Sequence, residues 1–293
     1  MTTQDPRLRA ARLACWSGPV DPVPLAGGIT NANFLVADKG IRYFVRIGDD
    51  IPIHGVMRFA ELAASQAAFA VGISPELLHH EPGALVFRFV DGTTLAPETV
   101  RPRAMLERIL PLILRCHREM PNQVRGPVLM FWPFHIFRSY AAALREMKSR
   151  MVPELPRLAR VAADLEAMVG PIEPVFGHND LLAANFLDAG DRLWLLDWDY
   201  GGYGSPLFDL ANLSSNNDVT PVDERWLLES YFERPATDEL LRRFHAMKSA
   251  SLMREAMWSM ISEHVSRIDF DYVAYTTDYL SRFERAYADL KRM

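Results

Sequence analysis

One stretch limits what this chain can fold into more than any other. It runs His178-Asn179-Asp180-Leu181-Leu182-Ala183-Ala184-Asn185 and continues to Leu193-Trp194-Leu195-Leu196-Asp197-Trp198-Asp199. Polar groups stand at fixed places inside Leu, Ala and Trp. The run 193–196 reads as a short buried strand, paired with another at about 186–187. Asp197 follows where that strand leaves the core. Leu181 and Leu182 can anchor a loop between Asp180 and Asn185. Asp199 points to the same side as Asp197 if the backbone stays extended. A suitable fold must therefore hold several oxygen-bearing side chains on buried mounts.

Bulk properties exclude several settings. The chain has 293 residues, enough for one large domain or two lobes with their own cores. It is 49% hydrophobic and 24% charged, as soluble globular proteins are. A net charge of −5 argues against a general nucleic-acid binder. Two cysteines, Cys15 and Cys116, give no disulfide framework and fit a reduced cytoplasmic setting. The N-terminus does not read as a signal peptide, and no apolar run is long enough for a membrane span. A homodimer is compatible with the sequence, though no residue signals one.

The layout divides in two. The first 20 residues predict a short amphipathic helix ending near Gly18-Pro19. Strands follow at 22–27, 31–37 and 41–47, with turns at Gly27-Gly28 and Asp38-Lys39-Gly40. An Ala-rich helix then stops at Gly72, with Pro75 beyond it. Two strands flank Glu81-Pro82-Gly83 and end at a turn, Asp91-Gly92. From about residue 93 the pattern is helical, interrupted by the hairpin after Asn185 and helical again over 222–293. Pro111 predicts a kink or break in its helix. The expected fold is α+β with two lobes: 1–92, an antiparallel sheet with one helix, and 93–293, mostly helical. Residues 87–92 form the expected hinge.

The spacing H-x-D-x-x-x-x-N is that of the protein-kinase catalytic loop, with Asn179 where those loops carry Arg. Such chemistry needs a carboxylate, Asp180, at the attacking hydroxyl. It also needs oxygen ligands for Mg2+, here Asn185 and Asp197, with Asp199 either a second-metal ligand or a tie for the loop. Taken singly, an Asp at a strand end is usually a turn or cap residue, and His178 reads as a structural hydrogen bonder. In combination and in order, the residues point to phosphoryl transfer from ATP. Gly28, Thr30 and Asn31 would then cover the phosphates. Arg46 stands where protein kinases place Lys. Glu61, the one acidic residue on the following helix, is its expected partner. Phe87, Phe89 and Val90 would line the adenine slot.

These segments resemble the choline/ethanolamine kinases, within the wider aminoglycoside-phosphotransferase-like group. The resemblance rests on "GGITNANFLV", "YFVRIG", "ELAASQAAFAVGISPELL", "HNDLLAANFL" and "LLDWDYGGYGSPLFDLAN". It implies a protein-kinase-like fold, ATP and Mg2+ as cofactors, and a small amino alcohol, choline or ethanolamine, as acceptor. Asp209 is read as structural, capping a helix and bracing the loop. "MWSMISEHVSRIDFDYVAY" is similar to the segment that encloses the ammonium group, which implies Trp258, Tyr272 and Tyr275 as a cation–π box. Two departures bear on the acceptor. Arg254 and Glu255 stand in the region of a second Trp, and "LSSNNDVTP" lacks an acidic, aromatic run. Asp218 is placed there as a negative charge for the cation. An aminoglycoside or other hydroxylated metabolite as acceptor stays open, as does a nucleotide-binding module without transfer activity.

Overall fold

Alternation of side chains builds the first lobe. A computed structural model describes residues 5–25, 31–266 and 268–293. Helix α1 (Pro6–Ala11) precedes strands β1 (Val23–Leu25), β2 (Ala32–Asp38) and β3 (Ile41–Ile47). Helix α2 (Arg58–Ala70) and strands β4 (Leu77–Glu81) and β5 (Ala84–Arg88) follow. The strands form one antiparallel sheet in the order β1-β2-β3-β5-β4. Phe34, Val36, Val45, Ile47, Ala84 and Val86 pack with Ala10 and Leu13 on one face. Arg46, between Val45 and Ile47, is therefore turned to the other face, where α2 lies.

Local signals set most boundaries. The β2–β3 turn passes through Lys39 and Gly40 at φ 49° and 78°, the left-handed pair that a two-residue hairpin requires. Gly72 at φ 70° ends α2, and the Ile73 N–H returns to the Ala68 carbonyl at 2.9 Å. Helix α1 is shorter than expected. Trp16 folds back, and its indole N–H takes the Ala10 carbonyl at 2.8 Å, filling an acceptor at the helix end.

The second lobe begins with β6 (Thr93–Thr94), α3 (Pro97–Val100), α4 (Arg103–Arg118), β7 (Leu129–Met130), α5 (Pro133–Glu146) and α6 (Leu155–Val169). It continues with β8 (Val175–Gly177), β9 (Phe186–Asp188), β10 (Leu193–Leu195) and β11 (Gly202–Gly204). Helices α7 (Pro206–Asn217), α8 (Pro221–Phe232), α9 (Asp238–Val265) and α10 (Tyr272–Leu290) complete it. Pro111 does not break α4: it sits on the exposed side, opposite the buried stripe of Leu106, Ile109, Leu110, Ile113 and Cys116. Helix α9 is buried almost all round from Ala246 to Ser262 and is packed by α5, α6, α7 and α10.

Two small sheets carry the site. β10-β9-β6 contains the expected hairpin, and Thr93↔Asp188 ties it to the segment entering from β5. β7-β11-β8 has no counterpart among the expected strands. Its backbones approach so closely that a Cβ at Gly202 would lie 2.6 Å from the Leu129 carbonyl oxygen.

Candidate active site

The loop after β8 is held by buried polar groups. Asp209 accepts the N–H groups of His178 at 2.8 Å and Asn179 at 2.7 Å. Its Oδ2 also meets His117 Nε2 at 2.9 Å, and the Tyr231 hydroxyl meets His117 Nδ1 at 2.8 Å. Ser205, rather than Asp209, caps α7, since its hydroxyl accepts the Leu207 N–H at 3.2 Å. Asn179, at φ 63°, donates its amide to the Tyr200 carbonyl at 2.9 Å and so fastens the segment after Asp197. His178 is fully buried. Nε2–H donates to the Leu196 carbonyl at 2.8 Å, Nδ1 accepts the Asp180 N–H at 3.3 Å, and the ring lies against Trp198. Burial lowers its pKa, so it is a neutral strut between the loop and the strand end.

Those struts set the positions of three polar residues, Asp180, Asn185 and Asp197. Asn185 donates Nδ2–H to the Asp180 carbonyl at 2.8 Å, which leaves its Oδ1 for a ligand. The Leu196 N–H bonds to the Asn185 carbonyl at 2.8 Å, so Asp197 follows directly from a residue pinned to Asn185. Asp197 adopts φ 65° and keeps 29% of its side chain exposed. Burial pushes its carboxyl up, but Arg46 more than offsets this and holds it below the usual range. Among the described residues no side chain donates to the Asp180 carboxylate. Burial, against the pull of Arg254, pushes that carboxyl well above the usual range. Mg2+ takes hard oxygen donors, and Asn185 Oδ1 with the accessible Asp197 carboxylate are of that kind.

The first lobe contributes a charge network. Arg46 Nη1 meets Glu61 at 2.8 Å, Asp197 at 2.7 Å and Asp199 at 3.2 Å. Burial would lower the Arg46 pKa, but these carboxylates hold it well above its ordinary value. Arg58, which the sequence reading missed, joins Glu61 to Asp199 and donates to Asn31 Oδ1 at 2.8 Å. Asn31 Nδ2–H in turn reaches Asp199 Oδ2 at 2.9 Å. Both Asp199 oxygens are thus engaged. Burial and the neighbouring Asp197 and Glu61 push its carboxyl up to about 7. Gly28 and Thr30 lie outside the described residues. Phe87 packs on Phe44, and Arg42 covers the Phe89 ring at 4.8 Å. Val90 is half-buried in the segment between β5 and β6.

A cluster of aromatic rings gathers where α9 meets α10. Trp258 is centred 6.0 Å from Tyr272, 6.2 Å from Tyr275 and 5.5 Å from His54. His54 comes from the first lobe, and its Nδ1 meets the Tyr140 hydroxyl at 3.0 Å. Burial and Arg254 pull its pKa down to about 3. The carboxylate among these rings is Glu255, which accepts the Tyr275 hydroxyl at 3.1 Å and Arg254 Nη1 at 2.7 Å. Asp218 is not placed there. It caps α7 at φ 51° and pairs with Arg101 and Arg282, its side chain 63% exposed. A charged pair inside a helix gave no sign that Glu255 would be buried.

Residues 21–249 match the model of the phosphotransferase enzyme family, and the chain belongs to that family. Within it, the resemblance is to choline and ethanolamine kinases. The chain is 27% identical to protein LicA of Haemophilus influenzae over 72% of its own length and 62% of that relative, less than two thirds of it. It is 24% identical to a probable ethanolamine kinase of Arabidopsis thaliana, over 86% of this chain and 75% of that one. A choline/ethanolamine kinase family protein of Mesorhizobium loti has the same fold, with TM-score 0.74 and 26% identity. That match covers 96% of this chain and 92% of the other.

Proposed function

We propose that this chain transfers the γ-phosphoryl group of Mg2+-ATP to the hydroxyl of a small amino alcohol, choline or ethanolamine. One observation carries the reading. Asp180, to whose carboxylate no described side chain donates, accepts Asn185 Nδ2–H at its carbonyl, and the next residue, Leu181, is held through its N–H by Asn212, which is bonded in turn to Ser251 on α9, the helix of Arg254, Glu255 and Trp258. These bonds link Asp180 to a candidate metal ligand and to the helix that carries Trp258, whose aromatic cluster suits an ammonium group.

In this reading Asn185 and Asp197 would hold Mg2+, whose chemistry there is to neutralise charge on the phosphate oxygens. Arg46, oriented by Glu61, holds the α/β-phosphates, with Gly28, Thr30 and Asn31 over them. Phe87, Phe89 and Val90 line the adenine slot in a hinge at 87–92, between lobes 1–92 and 93–293. Asp199 ties Arg46 and Arg58 to the loop. The acceptor oxygen bonds to the γ-phosphorus as its proton passes to Asp180, and the bond to the ADP oxygen breaks with its electrons going to ADP. Positioning supplies most of the rate, because the transition state is loose. Related proteins named choline or ethanolamine kinases support the acceptor class.

The test is ADP release with Mg2+-ATP over choline, ethanolamine, an aminoglycoside, thiamine and simple sugars. Release dependent on choline or ethanolamine is expected. Turnover confined to an aminoglycoside would replace the acceptor assignment, and no release with any acceptor would overturn the kinase reading.

A further inference from the structure

Arg254 is 2% exposed, yet its Nε and Nη2 have no hydrogen-bond partner. Nη1 alone is engaged, by Glu255 at 2.7 Å. The guanidinium lies on the Tyr200 ring at 4.3 Å from its centroid, with Phe131 at 5.7 Å. Its plane and its Nη1 corner are thereby fixed. Nε–H and Nη2–H share one edge of that plane, the fork with which arginine meets an oxygen side-on. A buried donor pair left unmatched is costly, and the cost is greater when the group is charged.

The surroundings show what that edge can meet. Arg254 is four residues before Trp258 on α9 and so shares its face. Tyr200 lies against its plane, and Ser251, three residues before it on α9, is bonded to Asn212, which holds the N–H of Leu181 directly after Asp180. Asp180 and Arg254 feel each other's charge without forming an ion pair, and Asp180 has no donor of its own among the described residues. An unpaired acceptor and an unpaired fork thus flank the same region. A hydroxyl group fits both, because it donates one proton and accepts through its lone pairs.

We propose that Arg254 reads the acceptor hydroxyl: its Nε–H/Nη2–H edge donates to the hydroxyl oxygen whose proton passes to Asp180, and Glu255 fixes the guanidinium for that task. This rests on the amino-alcohol reading and deepens it. The ammonium end is left to Trp258, Tyr272 and Tyr275, while Glu255 offsets the arginine charge that would otherwise repel a cationic acceptor. Arg254 therefore selects for a hydroxyl at the reacting end.

Paired ligands test this. Choline is compared with ethyltrimethylammonium, and ethanolamine with ethylamine, by calorimetric binding to the wild type, Arg254→Gln, Arg254→Lys and the neutral double variant R254Q/E255Q. The double variant keeps the test open if R254Q alone misfolds with Glu255 unpaired. The wild type is expected to bind each hydroxylated ligand about tenfold more tightly than its deoxy twin. R254Q and the double variant bring that ratio to about one, and R254K restores part of it. In turnover, R254Q lowers kcat about 100-fold with the ATP KM within about threefold. An unchanged ratio, or equal weakening of both twins, overturns the proposal, since a structural role alone does not distinguish them. A wild type that strongly prefers L-serine, with the preference lost in R254Q, also overturns it, because the fork then reads a carboxylate. Wild-type turnover of amino alcohols with an unchanged ratio sinks this inference alone. A wild type that neither binds nor phosphorylates them sinks the amino-alcohol reading with it.

Discussion

On the proposed nucleotide side of Asp180, buried charges answer one another; on the proposed acceptor side they do not. Arg46 is gripped by Glu61, Asp197 and Asp199, and Arg58 by Glu61 and Asp199. Of their nitrogens only Arg46 Nε is buried without a partner. On the proposed acceptor side Arg254 has one carboxylate and an open edge. The difference separates a scaffold from a recognition surface. Charges that satisfy each other hold their geometry whatever enters the cleft. Donors that do not are matched only by a ligand of the right chemistry, and this is how a pocket discriminates.

The largest effect is expected where the two sides meet. Asp180→Ala should lower kcat by about 10³-fold, the contribution of a well-placed proton acceptor, with nucleotide affinity within about threefold. Single-turnover kinetics together with nucleotide titration check both halves. Turnover close to wild type would remove Asp180 from the reaction and leave the two sides with no shared centre.

Next comes the foundation common to both. Asp209→Ala strips the acceptor from the His178 and Asn179 N–H groups and from His117, all of them buried. A loss of about 3 kcal/mol in unfolding free energy is expected. Denaturant unfolding measures it. A change under about 1 kcal/mol would mean that the loop is held by packing on Leu181 and Trp198 and not by the carboxylate.

What the sequence disclosed follows the range over which each feature is determined. β2 and β3 were legible because alternation and the Lys39-Gly40 turn are local, and α2 ended where Gly72 said it would. Asp180, Asn185 and Asp197 were legible as a set because one loop and one hairpin contain them. Arg58 was not: its second carboxylate, Asp199, is 141 residues away, and an arginine in a first helical turn reads as surface. Arg254-Glu255 hid for the same reason, since only the packing of α5, α6, α7 and α10 around α9 makes that position interior. The β7-β11-β8 sheet carries too few residues per strand for any period to show, and its glycines resemble loop.

On the acceptor side, Trp258→Ala should raise the choline KM about tenfold and alter kcat less, because ring-face attraction holds the substrate in ground and transition states alike. The ring also packs on His54 and Tyr272, so some stability is lost too, and thermal unfolding run alongside separates the two effects. A variant that folds with unaltered choline kinetics would make the aromatic cluster plain core, and only Arg254 and Glu255 would remain to mark the acceptor side.

Asp218→Asn should do least, and for that reason it sharpens where the acceptor side ends. The carboxylate pairs with Arg101 and Arg282 while 63% exposed, a setting in which ion pairs contribute under about 1 kcal/mol. Asn tolerates the left-handed backbone at φ 51° as Asp does, so the end of α7 keeps its shape. Choline and ethanolamine KM values within about twofold of wild type are expected. A marked rise in KM with unaltered stability would carry the cation-binding surface out to the end of α7, and the negative charge that complements the ammonium would then be Asp218 as well as Glu255.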